Sequence, residues 1–156
     1  MLKVLLCIAA FGLCIAAALL LTRRYRRRKE FFYALNLFNE RLYNEVSYLR
    51  APLSTFIEKY DFGGDFQKML REKREGDFGR ENYGFAYLTA DERKFLGDYF
   101  RLIGKSDAAS QRTYLAAARA EAGERRRLAE EEYKKYFSLY SKLGVLAGLI
   151  LVILIV

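Results

Sequence analysis

Residues 4–21, VLLCIAAFGLCIAAALLL, run eighteen positions without a charge. As a helix rising about 1.5 Å per residue they measure roughly 27 Å, close to the apolar thickness of a bilayer. The last fourteen residues, LGVLAGLILVILIV from Leu143, are equally apolar but reach only about 21 Å. Starting that span near Phe137 gives twenty residues and takes in Lys142, whose long stem returns the ammonium to the headgroups. The pattern predicts a transmembrane helix over 1–22 and a second over 143–156 that begins near 137.

Between these ends the period becomes that of amphipathic helices. Phe31, Leu35, Phe38, Leu42, Val46 and Leu49 recur at steps of four and three, an apolar stripe that stops before Ala51 and Pro52. Pro52 suits the first turn of a short helix reaching Tyr60, which Gly63 and Gly64 then break. Asp65 is placed to cap a third helix carrying Phe66, Met69 and Leu70 and ending at Gly76. From Gly76 to Leu88, glycine and aromatics alternate without a clear period. Thr89-Ala90-Asp91-Glu92 then fits a capping box, in which the hydroxyl and the carboxylate each satisfy an exposed backbone N–H. The helix it opens carries Phe95, Leu96, Tyr99, Phe100 and Ile103 inward and stops at Gly104.

From Ser106 or Asp107 a last long helix runs into the C-terminal span, with Tyr114, Leu115, Ala118, Ala122, Ala129, Tyr133, Tyr136 and Tyr140 inward. No run of alternating polar and apolar residues is bounded by hairpin turns. The expected class is therefore all-α: an antiparallel bundle of about five to six helices over 23–142, flanked by the two transmembrane helices.

Charge refines this picture. The formal net charge of +8 suggests nucleic acid until its location is considered. Arg23, Arg24, Arg26, Arg27, Arg28 and Lys29 follow the first span directly, and with Lys3 they leave 20 cations against 19 anions elsewhere. Such a block anchors a helix end among anionic lipid headgroups, so membrane lipids are the expected partner and nucleic acid is not. Lys134, Lys135 and Lys142 precede the second span, so both positive flanks lie on the middle segment. By the positive-inside rule that segment is cytoplasmic and both termini face outward. Ala16-Ala17-Ala18 is the rival signal for a cleaved leader, but only Lys3 precedes the apolar run while six cations follow it. Cys7 and Cys14 share one helix face too far apart to bond to each other, and read as small apolar residues.

Candidate chemistry is thin. Gly104-Lys105-Ser106 resembles the close of a phosphate-binding loop, but the glycine required five positions earlier is Tyr99, and no strand precedes it. Two DFG triplets, at Asp61 and Asp77, lack the histidine-bearing catalytic loop of a kinase, because the chain has no histidine. Glu130, Glu131 and Glu132 are consecutive and spread around a helix instead of converging. No catalytic, cofactor or metal site is expected, and no enzyme. Ala116, Ala117, Ala118, Ala120 and Ala122 permit close helix approach, while twelve phenylalanines and twelve tyrosines exceed the evident need for filling. Tyr43, Tyr48, Tyr83 and Tyr87 lie off the clearest stripes and are candidate partner contacts.

Three passages carry a resemblance. They are EVSYLRAPL, with Glu45, Tyr48 and Pro52; LIGKSDAASQRTYL, with Gly104, Ser106, Asp107 and Gln111; and LYSKLGVLAGLILVILIV, with Gly144 and Gly148. In this order, between two spans, they resemble the stage III sporulation protein AB family over nearly the whole chain. The chain departs from the family pattern between Gly76 and Thr89, where members carry a longer helix with an Ala-Trp pair, and it has no tryptophan. The resemblance implies a cytoplasmic bundle similar to the F-domains of type II secretion and type IV pilus platform proteins. It implies residence in the mother-cell membrane facing the forespore, with a sporulation ATPase and other membrane proteins of the stage III sporulation A operon as partners. The function implied is that of a scaffold in the channel between the two cells. A membrane-tethered helical adaptor of another transenvelope complex is the alternative.

Overall fold

A single long helix occupies each end of the chain, with three short ones between. The computed structural model describes residues 2–48, 53–76, 84–103 and 108–155. The helices are α1 (Leu2–Tyr48), α2 (Leu53–Lys59), α3 (Gly64–Glu75), α4 (Ala90–Leu102) and α5 (Ala108–Ile155), and the described residues contain no strand. The all-α class is thus observed. The first span and the stripe beginning at Phe31 belong to one unbroken helix of 47 residues. The chain divides into two compact units, one from Met1–Arg26 with Ala129–Val156, the other from Arg27–Leu128.

In the Arg27–Leu128 unit, α1 is the hub. Phe31, Leu35, Phe38 and Leu42 are buried as the stripe predicts, and Phe32, Ala34 and Asn39 are buried as well. The wider face follows from several neighbours: the Phe38 ring meets Phe56 of α2, Phe66 of α3 and Phe100 of α4 at 5.4, 5.6 and 6.0 Å between centroids. Asn39 supplies the polar register. Tyr99 Oη donates to its Oδ1 at 2.8 Å, and its Nδ2 donates to the Leu115 carbonyl at 3.1 Å, joining α1 to α4 and α5. On α5, Leu115, Ala118 and Ala122 are buried, so small side chains let this helix approach closely. Leu49, Pro52, Gly104, Ser106 and Asp107, with residues 77–83, lie outside the described residues.

The expected cap of α3 is corrected. Its N-cap is Gly63, with no side-chain cap, and Asp65 lies inside the first turn. Gly63 and Gly64 both have positive φ, 71° and 57°, which glycine adopts without steric cost. The helix therefore begins one residue before Asp65 and frees its carboxylate for other partners. Asp61 Oδ1 accepts from Gly63 N at 2.8 Å, giving the first DFG triplet a turn-forming role. The capping box of α4 is present as expected: Glu92 N donates to Thr89 Oγ1 at 3.2 Å, and Thr89 N donates to Glu92 Oε2 at 2.8 Å.

In the other unit α1 and α5 form an antiparallel pair. A Cβ at Gly144 would stand 2.9 Å from the Ala18 Cβ, and one at Gly148 would overlap the Phe11 ring. Glycine there permits the close approach that helices in an apolar medium depend on. Most of the leucines and isoleucines point away: Leu13 is 71% exposed and Ile153 76%. Both helices are long and apolar enough to cross a membrane.

Candidate functional site

The basic block after the first apolar stretch is divided between the two units, Arg23, Arg24 and Arg26 in one and Arg27, Arg28 and Lys29 in the other. The two halves do different things.

Around Arg24 the partners are phenols. Its Nη2 donates to Tyr25 Oη, and its guanidinium lies 4.5 Å from the Tyr25 ring centroid. Tyr25 is buried, stacked on Tyr136 at 4.2 Å and 13°. Tyr136 stacks in turn on Tyr140 at 6.0 Å and 22°. Lys135 Nζ lies 5.9 Å from the Tyr136 ring centroid, and Arg23 is exposed. An i,i+4 pair, Lys134 with Glu130 at 2.8 Å, extends along α5. Tyr133, Tyr136 and Tyr140, expected on the inner face of α5, are half-buried.

In the second unit the arginines meet carboxylates. Arg27 donates from Nε and Nη2 to Asp65 Oδ2 and Oδ1 at 2.8 and 2.9 Å, a bidentate fork. Tyr87 Oη donates to the same carboxylate at 2.9 Å. Arg27 first, and then Tyr87, hold the Asp65 carboxyl below its ordinary range against the opposing effect of burial. Burial, with Asp65 beside it, pushes the Tyr87 phenol up. Arg28 donates from Nε and Nη2 to Glu92 Oε1 at 2.9 and 2.5 Å. Glu92 is only 2% exposed, so one oxygen caps α4 while the other holds α1. The two pairs fasten the first turns of α3 and α4 to the same turn of α1.

The positions that carried the resemblance do not converge. Glu45 Oε1 accepts from Lys59 at 2.8 Å and Glu45 Oε2 from Tyr60 at 3.3 Å, tying α1 to the end of α2. Tyr48 is the last residue of α1, and Gln111 is half-buried early in α5. Gly144 and Gly148 belong to the seam of the other unit. Of the tyrosines expected to face partners, Tyr87 is engaged inside the unit, and Tyr43 accepts from Arg112 Nε at 3.2 Å. The side chains of Tyr48 and Tyr83 lie outside the described residues.

An open cleft of about 360 Å³ between α4 and α5, lined by Phe95, Leu102 and Tyr114 among others, was not foreseen. Leu102 is 46% exposed and falls one position off the inner stripe, the only hint the pattern offers. Asp91, Asp98 and Glu121 on its walls are nearly balanced by Lys94 and Arg125. Among the described residues no group of three metal-ligating side chains occurs.

Compared with protein-family models, residues 3–156 match the one described as stage III sporulation protein AB. No curated protein and no solved structure matches the chain.

Proposed function

The chain belongs to the stage III sporulation protein AB family, and from that premise we propose that it is a non-enzymatic platform subunit of the sporulation channel between mother cell and forespore. The observation that carries this reading is the extent of the match: residues 3–156 take in both apolar ends and everything between them. A chain of this design places a helical body beside a membrane and offers surfaces, with no constellation of histidine, nucleophile and orienting acid. The platform docks a sporulation ATPase and the other membrane proteins of the stage III sporulation A operon. It resides in the mother-cell membrane facing the forespore, with its body cytoplasmic and both termini outward, the orientation favoured by cations on the inner flank of each span.

Two measurements test it. Tagged full-length protein, solubilised in mild detergent from sporulating cells, is expected to carry the ATPase and the operon's membrane proteins with it. Recovery of the tagged chain without them, from cells that express all of them, overturns the platform reading. With Cys7 and Cys14 replaced by serine, single cysteines at Lys3 and at Ser106 are expected to react with an impermeant maleimide before and only after permeabilisation, respectively. The opposite order overturns the orientation.

A further inference from the structure

The cluster around Arg24 has the composition of an anion site that the protein leaves open. A guanidinium carries five N–H donors, and Arg24 spends one on Tyr25 Oη. Its contacts are with the neutral phenol of Tyr25, and among the described residues no carboxylate pairs with it. Arg23, Lys135 and Lys142 are exposed, and none has a carboxylate partner among the described residues. Of the three acids in this unit, Glu130 is already held by Lys134. The position is equally specific: past the apolar stretch of α1 charges resume at Arg23, two residues after Leu21, and charges on α5 end at Lys142, next to Leu143. Tyr25 stands two residues past Arg23 and Tyr140 two before Lys142, and with Tyr136 they form one stack; tyrosine is enriched where a membrane meets water.

We propose that Arg24, with the hydroxyls of Tyr136 and Tyr140, holds the phosphate of an anionic phospholipid headgroup, inside a positive potential supplied by Arg23, Lys135 and Lys142. Arg27 and Arg28 stand outside this site, because Asp65 and Glu92 hold them. A zwitterionic headgroup brings its own ammonium, which the surrounding cations repel, so the site selects net negative lipid. The inference rests on the reading that both apolar ends lie in the bilayer. It is independent of the ATPase, whose absence from a purified complex would leave it untouched.

Native mass spectrometry of the full chain in detergent, with phosphatidylglycerol, phosphatidylcholine or inorganic phosphate added at equal concentration, tests it. Retention of phosphatidylglycerol is expected to exceed that of phosphatidylcholine by about fivefold. R24Q should abolish the preference. Y136F/Y140F, which keeps both rings and their stacking, should reduce it at an unchanged melting temperature, a loss that repacking alone does not produce. R27Q should lower the melting temperature and leave lipid preference intact. Equal retention of both lipids, an unchanged preference in R24Q, or inorganic phosphate held as firmly as phosphatidylglycerol overturns the proposal.

Discussion

Along α1 the large apolar side chains change sides. In the Arg27–Leu128 unit Phe31, Phe32 and Phe38 are at most 2% exposed, and the rings they meet fill the space between helices. In the other unit the contact positions are Phe11, Cys14, Ala18, Gly144 and Gly148, small apart from Phe11, and the leucines stand outward, with Leu20 66% exposed. With the apolar ends in the bilayer, as proposed above, the inversion follows from the solvent. Water drives apolar area inward, whereas lipid is as apolar as leucine and rewards only close backbone approach. One helix thus obeys two packing rules, and the rule in force at a position decides what a substitution there does.

The largest expected effect tests this contrast directly. F38A removes a ring that meets α2, α3 and α4, and should cost about 4 kcal/mol of stability. L149A removes an outward leucine from α5 and should cost under about 0.5 kcal/mol. Thermal melts of both variants in one detergent decide the point, and comparable losses would refute the two-rule account. Next comes E92A, which removes the carboxylate half of the α4 capping box while the Thr89 hydroxyl still caps the helix, and takes from Arg28, whose side chain is 15% exposed, the Glu92 carboxylate. About 3 kcal/mol is expected, while E92Q, which keeps an oxygen for Thr89 N, should lose roughly half as much.

The seam has its own test. G148I drives a side chain into Phe11, so the antiparallel pair must part there, at an expected cost of about 1 to 2 kcal/mol in helix pairing. Nitroxides at the exposed positions Leu5 and Leu154, with the native cysteines replaced, report the separation. The distance should lengthen in G148I and return when F11A is added. A distance that does not move shows that the pair is not held by this contact.

What the pattern of residues disclosed, and what it hid, divides by range. The capping box at Thr89 was legible because both of its bonds close within three residues. Phe31, Phe38 and Phe66 were legible because a helix facing one neighbour repeats every 3.6 residues. Phe32 and Asn39 were not, since a stripe cannot announce that α1 is contacted from several sides. Asp65 was misplaced because two consecutive positive-φ glycines fix where α3 begins, and their spelling marks only a break. The division of the basic block was hidden most completely. Arg27 and Arg28 find their acids 38 and 64 residues away. Arg24 meets the phenol of its neighbour Tyr25, whose ring in turn stacks on Tyr136 of α5. Nothing in the run RRYRRRK separates one arginine from the next.

The smallest effect sharpens the comparison down to those two arginines, three residues apart. Arg27 pairs with a carboxylate held below its ordinary range, so Asp65 binds its proton less readily folded than unfolded. Stability from the pair is then complete above the unfolded carboxyl's ordinary value of about 3.9, and it is lost as pH falls below that through the lowered folded value. Because the Arg27 side chain is 44% exposed, solvent weakens the pair, and D65N should cost only about 1 kcal/mol at neutral pH. That gap between parent and D65N should close as melts are taken from pH 7 to below about pH 4. The gap between parent and R24Q should stay level over the same range, because phenols do not titrate there. A D65N gap that persists at low pH would mean that Arg27 is held by its position on α1 and not by this carboxylate, and the distinction between the two halves of the basic block would then rest on Arg28 and Glu92 alone.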